Sequence, residues 1–281
     1  MLKVVVDELR QAKADVAGTV IRWVDAPATG DVMLRLLPDR ILLLPPSLQG
    51  VDCDKVATAC NRYATVILGS KLHGDDRGPS ETLAQALHAV ARATNLLRIA
   101  ANLTYAGGDK SKFEVNVKLR SMDGKALPYT KDQVPDLHAG DHATITLHNN
   151  GLSSVDATLL YVDARYGINV LFPKAGESNR LDPRSTYDVE VDIGDDTLGV
   201  ERMLSIAVDA VKKQERADFS FLAQPSLAAS RGLEGPDGSD PDVMAFMDAG
   251  YSAYRTRSET ATPRAPSSRT SMQVFTFNVG N

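Results

Sequence analysis

The sequence predicts an α+β fold in three parts: a small N-terminal α/β part over residues 1–104, an antiparallel β-sandwich domain over 105–210, and an extension over 211–281 that carries a helix, an Arg-rich flexible arm and the last of the sandwich's roughly seven strands. Three observations lead there. Leu83, Leu87, Val90 and Leu97 recur at helical spacing. Beyond Tyr105 the apolar period drops to two, as in Phe113, Val115, Val117 and Leu119. Further runs of that kind follow with turn residues between them and no helical pattern, which favours antiparallel sheets over a parallel one.

The elements follow in order. Leu2, Val5, Val6, Leu9 and Ala12 form a first helical stripe. Thr19–Val24, Asp31–Leu37 and Arg40–Leu44 read as extended runs, separated by the Ala26-Pro27-Ala28-Thr29-Gly30 and Pro38-Asp39 turns. A helix is expected across Asp52–Ile67. A clearer one starts at Pro79-Ser80, with Ser80 as N-cap and Glu81 near the positive helix end, and runs to about Leu103. Ala106-Gly107-Gly108-Asp109 marks the boundary to the β part. After Phe113–Leu119, the expected strands are Thr144–His148, Ala157–Asp163, Ile168–Phe172, Tyr187–Ile193 and Leu204–Val208. Asp123-Gly124 and Asn149-Asn150-Gly151 supply tight turns. Phe219, Phe221 and Leu222 read as anchored to a core. Asp240-Pro241 opens a short helix through Val243, Phe246 and Met247 that stops at Gly250. Arg255–Thr270 is too polar to build a core and reads as an exposed arm. Gln273–Val279 alternates again and is expected to return to the sandwich edge as the seventh strand.

Composition bounds the function. The chain has 281 residues, 43% hydrophobic and 24% charged, as in ordinary globular proteins. No apolar run approaches the roughly 18–20 residues that cross a bilayer. The opening MLKVVVDELRQAK lacks the pattern of a secretory signal, so the expected compartment is the cytoplasm, with no membrane partner. Residues 104–210 carry 11 Lys/Arg against 17 Asp/Glu, a net −6 that argues against nucleic acid as a partner. Such an acidic stretch also serves as a plain solvated surface. Cys53 and Cys60 are the two cysteines. In a helix they would stand roughly 10 Å apart, too far for a disulfide. Free thiols suit a reducing compartment.

No catalytic constellation emerges. His73-Gly74 follows an apolar run, as a peptidase histidine can, but both cysteines precede it and no Gln-Ala-Cys-x-Gly is present. There is no Gly-x-Ser-x-Gly elbow, phosphate loop or dinucleotide fingerprint. His138, His142 and His148 are spaced too widely along a strand to share a metal. No cofactor is expected. The candidate partner or ligand loop is Phe172–Leu181, where Phe172, Glu177, Ser178, Asn179 and Arg180 offer an aromatic face, donors and acceptors. Turn chemistry with a local Glu–Arg pair accounts for the same residues.

Several ordered short matches then suggest a family. They are Gly140-Asp141-His142-Ala143-Thr144-Ile145, the Leu159-Leu160-Tyr161-Val162-Asp163 strand end, Tyr166-Gly167-Ile168, Leu171-Phe172-Pro173 and Gly176-Glu177-Ser178-Asn179-Arg180-Leu181. The helix end Ala91–Ile99 and Ala217–Gln224 join them. Together they resemble the non-catalytic C-terminal region of bacterial caspase-like (metacaspase- or orthocaspase-type) cysteine peptidases, including their β-rich domain of unknown function, over roughly residues 85–260. The resemblance implies no catalysis here, because the family's His and Cys belong to the peptidase domain. It implies a caspase-like peptidase or other protein as partner, and a place in stress or defence signalling.

The sequence leaves three functional readings open. The first is a non-catalytic interaction and regulatory region. The second is a subunit of a split caspase-like peptidase, with Trp23, Asp25 and the Asp75-Asp76 loop as pocket candidates. The third is a small-ligand sensor using the Phe172–Leu181 loop. Since family peptidases cleave after basic residues, Arg255, Arg257, Arg264 and Arg269 are candidates for a processing arm.

Overall fold

A computed structural model describes residues 15–16, 19–20, 31–36, 40–44, 63–67, 79–105, 112–130, 133–210, 216–227 and 270–280. The chain forms two compact units, one of Met1–Leu96, Ala164–Gly167 and Ser226–Gly235, the other of Leu97–Asp163, Ile168–Pro225 and Pro236–Asn281. Among the described residues the protein is mostly β, with several antiparallel sheets and one long helix.

In the first unit, β1 (Asp15–Val16) pairs antiparallel with β2 (Thr19–Val20). A second antiparallel sheet runs β3 (Met33–Leu36), β4 (Arg40–Leu44), β5 (Thr65–Ile67). After Arg40 the central β4 is an unbroken aliphatic run, and Ile41–Leu44 are all buried, as such a run requires. The helix expected to reach Ile67 is corrected here. Thr65, Val66 and Ile67 are β-branched, lose rotamer freedom in a helix, and pair with β4 instead. Helix α1 spans Pro79–Tyr105. It begins one residue before the expected Ser80 cap, with proline in the first turn, where a missing N–H costs nothing. Its Leu83, Ala86, Leu87 and Val90 bury against Ile41, Leu43, Ala64 and Val66.

The second unit holds ten described strands rather than seven. They are β6 (Phe113–Arg120), β7 (Ala126–Leu127), β8 (Asp136–His138), β9 (His142–Asn149), β10 (Val155–Val162), β11 (Ile168–Phe172), β12 (Arg180–Leu181), β13 (Thr186–Asp192), β14 (Gly199–Asp209) and β15 (Thr270–Gly280). One sheet is ordered β13-β9-β6-β7. The other is ordered β11-β10-β14-β15-β8, with β12 also on β10. Alternate residues of both sheets enter one hydrophobic cluster: Phe113, Val115 and Leu119 from β6 and Ile145 and Leu147 from β9 meet Leu159, Met203, Phe275 and Phe277 from the other sheet.

Three sequence expectations change. β15 is not an edge strand: it pairs with β14 from Thr270 to Val279 on one side and with β8 on the other. The β15–β8 pair is parallel, so the unit is not wholly antiparallel. Asn149-Asn150-Gly151 does not close a hairpin, because β9 and β10 lie in different sheets. The Asn149 side chain, fully buried, donates to the carbonyls of Ser153 (2.9 Å) and Asp182 (2.9 Å) and accepts from Gly151 N–H (3.0 Å). Asp123-Gly124 turns as expected, with Gly124 at φ 78°, a conformation that favours glycine.

Candidate functional site

The Phe172–Leu181 loop joins β11 to β12. Of its five candidate residues, three point into the structure. Phe172 is 1% exposed, and its ring centroid lies 4.4 Å from that of Tyr187. Asn179 is 3% exposed, and its amide donates to Ala217 O at 2.7 Å. Its own carbonyl accepts from Ala157 N–H at 2.8 Å. Arg180 grips Asp156 on the neighbouring strand with two parallel bonds, Nε to Oδ1 at 2.8 Å and Nη2 to Oδ2 at 3.0 Å. That fork matches carboxylate geometry and holds the guanidinium charged. Glu177 and Ser178 are exposed. Glu177 accepts from the Tyr187 hydroxyl at 3.0 Å, which pushes that phenol's pKa up, and Ser178 Oγ accepts from Arg180 N–H at 3.2 Å.

Asp156 is the hub of this corner. It is 2% exposed and also accepts from Ala217 N–H at 3.0 Å. Phe219 N–H donates to Thr158 Oγ1 at 3.3 Å, and Gln224 exchanges backbone bonds of 3.0 and 2.9 Å with Ile168. Residues 217–224 therefore lie as a strap across β10 and β11. Phe219, Phe221 and Leu222 are half-buried there.

A second group of polar residues was missed in the sequence. Glu201 on β14 is wholly buried, and accepts from the hydroxyls of Tyr161 on β10 and Thr197. Alternation along β14 places Glu201 on the same face as Met203 and Ala207. Burial first, and then the Glu201 charge, push the Tyr161 phenol well above the ordinary tyrosine range. A folded pKa raised in this way stabilises the protein fully below the unfolded value of about 10, and the contribution fades as pH climbs beyond it. Tyr161→Phe is therefore expected to cost about 1–3 kcal/mol at pH 7 by removing one donor from a buried carboxylate. It should also flatten the fall of stability between pH 10 and 12. Urea unfolding from pH 7 to pH 12 checks both, and an unchanged alkaline slope would contradict the assignment.

The outward face of the four-stranded sheet is polar in every row. Asp192, His142 and Arg120 stand side by side, then Glu190, Thr144 and Lys118, then Asp188, Thr146 and Asn116, then Thr186, His148 and Glu114. His142 Nδ1 lies 2.7 Å from Asp192, and Thr144 donates to Glu190 at 2.9 Å. The terminal strand of this sheet is β13, which pairs with β9 alone among the described strands. Ser185 O accepts from Asn149 N–H, and Ile193 exchanges bonds with Gly140 and Asp141. The odd-numbered residues thus turn their backbone to β9. By the antiparallel alternation, Thr186, Asp188, Glu190 and Asp192 turn theirs to the open side.

His142 and His148 share β9, while His138 sits on β8. Among the described residues no group of three or more His, Cys, Asp or Glu side chains gathers for a metal. Trp23, Asp25, Cys53, Cys60, His73, Asp75, Asp76, Arg255, Arg257, Arg264 and Arg269 lie outside the described residues. Among the described residues no helix is long and apolar enough to cross a membrane.

No family model matches the chain, and no curated protein matches it. Among solved structures, Pseudomonas fluorescens alkylpurine DNA glycosylase AlkC bound to DNA containing an abasic site analog is similar over 45% of this chain, at 14% identity and a TM-score of 0.20. The match spans 36% of that chain, and at this TM-score it carries no argument about fold or function.

Proposed function

We propose that this chain is a non-catalytic interaction and regulatory region that works with a bacterial caspase-like peptidase in the cytoplasm, in stress or defence signalling. Its two facing sheets act as one sandwich whose seven long strands are β6, β9, β10, β11, β13, β14 and β15. The observation that carries the reading is the open side of β13, a row of backbone donors and acceptors on a strand fixed from within by Tyr187, Val189 and Val191. A rigid scaffold with an unfilled strand position is suited to holding another protein. The ordered short matches to caspase-like proteins supply the class of partner. The acidic excess of residues 104–210 favours a protein over a nucleic acid.

The test mixes the purified chain with the catalytic domain of a metacaspase-type peptidase. A complex on size-exclusion chromatography is expected, together with an altered rate on Arg- and Lys-ending fluorogenic peptides, while the chain alone cleaves nothing. Absence of a complex would overturn the proposal. So would turnover by the chain alone that a thiol-reactive inhibitor blocks and Cys60→Ala abolishes.

A further inference from the structure

We infer that the open side of β13 receives an extended segment of a partner protein with Lys or Arg at alternate positions, added as a further strand of the four-stranded sheet. The inference rests on the interaction reading above and names the chemistry of the partner.

Backbone supplies the first half of the argument. Thr186, Asp188, Glu190 and Asp192 aim N–H and C=O groups at the open side, as shown by the opposite orientation of Ser185 and Ile193. Four residues at a two-residue spacing make a template long enough for a short strand. All four residues are exposed, and β13 pairs with β9 alone among the described strands.

Charge supplies the second half and chooses the occupant. Asp188, Glu190 and Asp192 share one face at that spacing, and Asp195 and Asp196 follow in the next turn. Thr144 and His142 hold Glu190 and Asp192 over the sheet. A second copy of β13 laid alongside would set carboxylates against carboxylates, which is unfavourable in directly opposed pairs. The same acids that keep copies apart give each basic side chain of an incoming strand an opposite charge beside it. Apolar residues at the intervening positions of that strand would extend the row of Tyr187, Val189 and Val191.

The experiment uses the full chain and a fluorescein-labelled peptide, Lys-Val-Lys-Thr-Lys-Val-Lys, capped at both ends and read by fluorescence anisotropy. Binding that weakens with added salt is expected. Asp188→Asn should weaken it about threefold, through loss of one cross-strand charge pair. Asp188→Pro should weaken it about tenfold or more, because it also removes an outward N–H. Proline there breaks no bond to β9, so the fold is expected to persist, with an unchanged circular dichroism spectrum. A peptide N-methylated at alternate amides, and one with Glu in place of Lys, should both fail. No binding of the parent peptide overturns the inference, as does equal binding of the N-methylated one. If the peptidase complex nevertheless forms, the interaction reading stands and only this edge assignment falls.

Discussion

Arg180→Met is expected to lower the stability of the second unit by about 3–5 kcal/mol, the range for breaking a buried ion pair from one side. Asp156 would remain in the interior with the Ala217 N–H as a donor and no guanidinium beside it. Replacing both partners with apolar residues, as in Asp156→Leu with Arg180→Met, removes the stranded charge and should recover much of the loss. Urea denaturation of the two variants decides the matter. Equal losses in both would mean that packing of the arginine stem, rather than its charge, holds the corner. The strap at 217–224 provides a second readout. With Asp156 gone, Ala217 N–H loses its acceptor, and its amide exchange should accelerate even where global stability has recovered.

Ile145→Asp is expected to abolish folding of the same unit. Ile145 is fully buried between the sheets and stands opposite Val117 in register. An isolated carboxylate there costs several kcal/mol against a total stability of 5–15. Val117 itself is only half-buried, so a carboxylate at that position would retain some water and do less damage. The control is Ile145→Val, which removes one methylene and should cost about 0.5–1.5 kcal/mol. A cooperative melting transition in Ile145→Asp near the parent temperature would show that the two sheets do not share the core described.

What could be read in advance was whatever local chemistry dictates. The helical stripe of α1, the alternation of β6 and β13, and the final strand all follow from spacing within a dozen residues. What could not be read depends on partners distant along the chain. Asp156 and Thr158 interrupt an apolar run and by themselves suggest one wet face on β10. They are buried because Arg180 and the strap at 217–224 arrive later to satisfy them. Asn179 and Arg180 resemble ligand contacts in the sequence for the same reason: a donor in a polar loop carries no mark of what it will meet. Glu201 hid the start of β14, since a charged residue at an interior position contradicts the alternation that would have announced the strand. Its two hydroxyl partners, Tyr161 and Thr197, resolve the contradiction only in three dimensions. The interior place of β15 was illegible on the same principle, because alternation reports a buried face and says nothing of which neighbours flank it.

The position of β15 has a consequence for how the protein is made. A ribosome delivers β8 and β14 well before β15, whose first residue follows the last of β14 by about sixty positions. During that interval the larger sheet is split, with the open edge of β14 and an unpaired β8 facing an empty slot of one strand's width. Closing it late and over so long a separation is slow on topological grounds. A nascent chain in that state exposes the apolar faces that Phe275 and Phe277 will cover, and it is a natural client for holdase chaperones. A product that ended before Thr270 would be held at this stage, and its expected fate is degradation or aggregation rather than a smaller folded product.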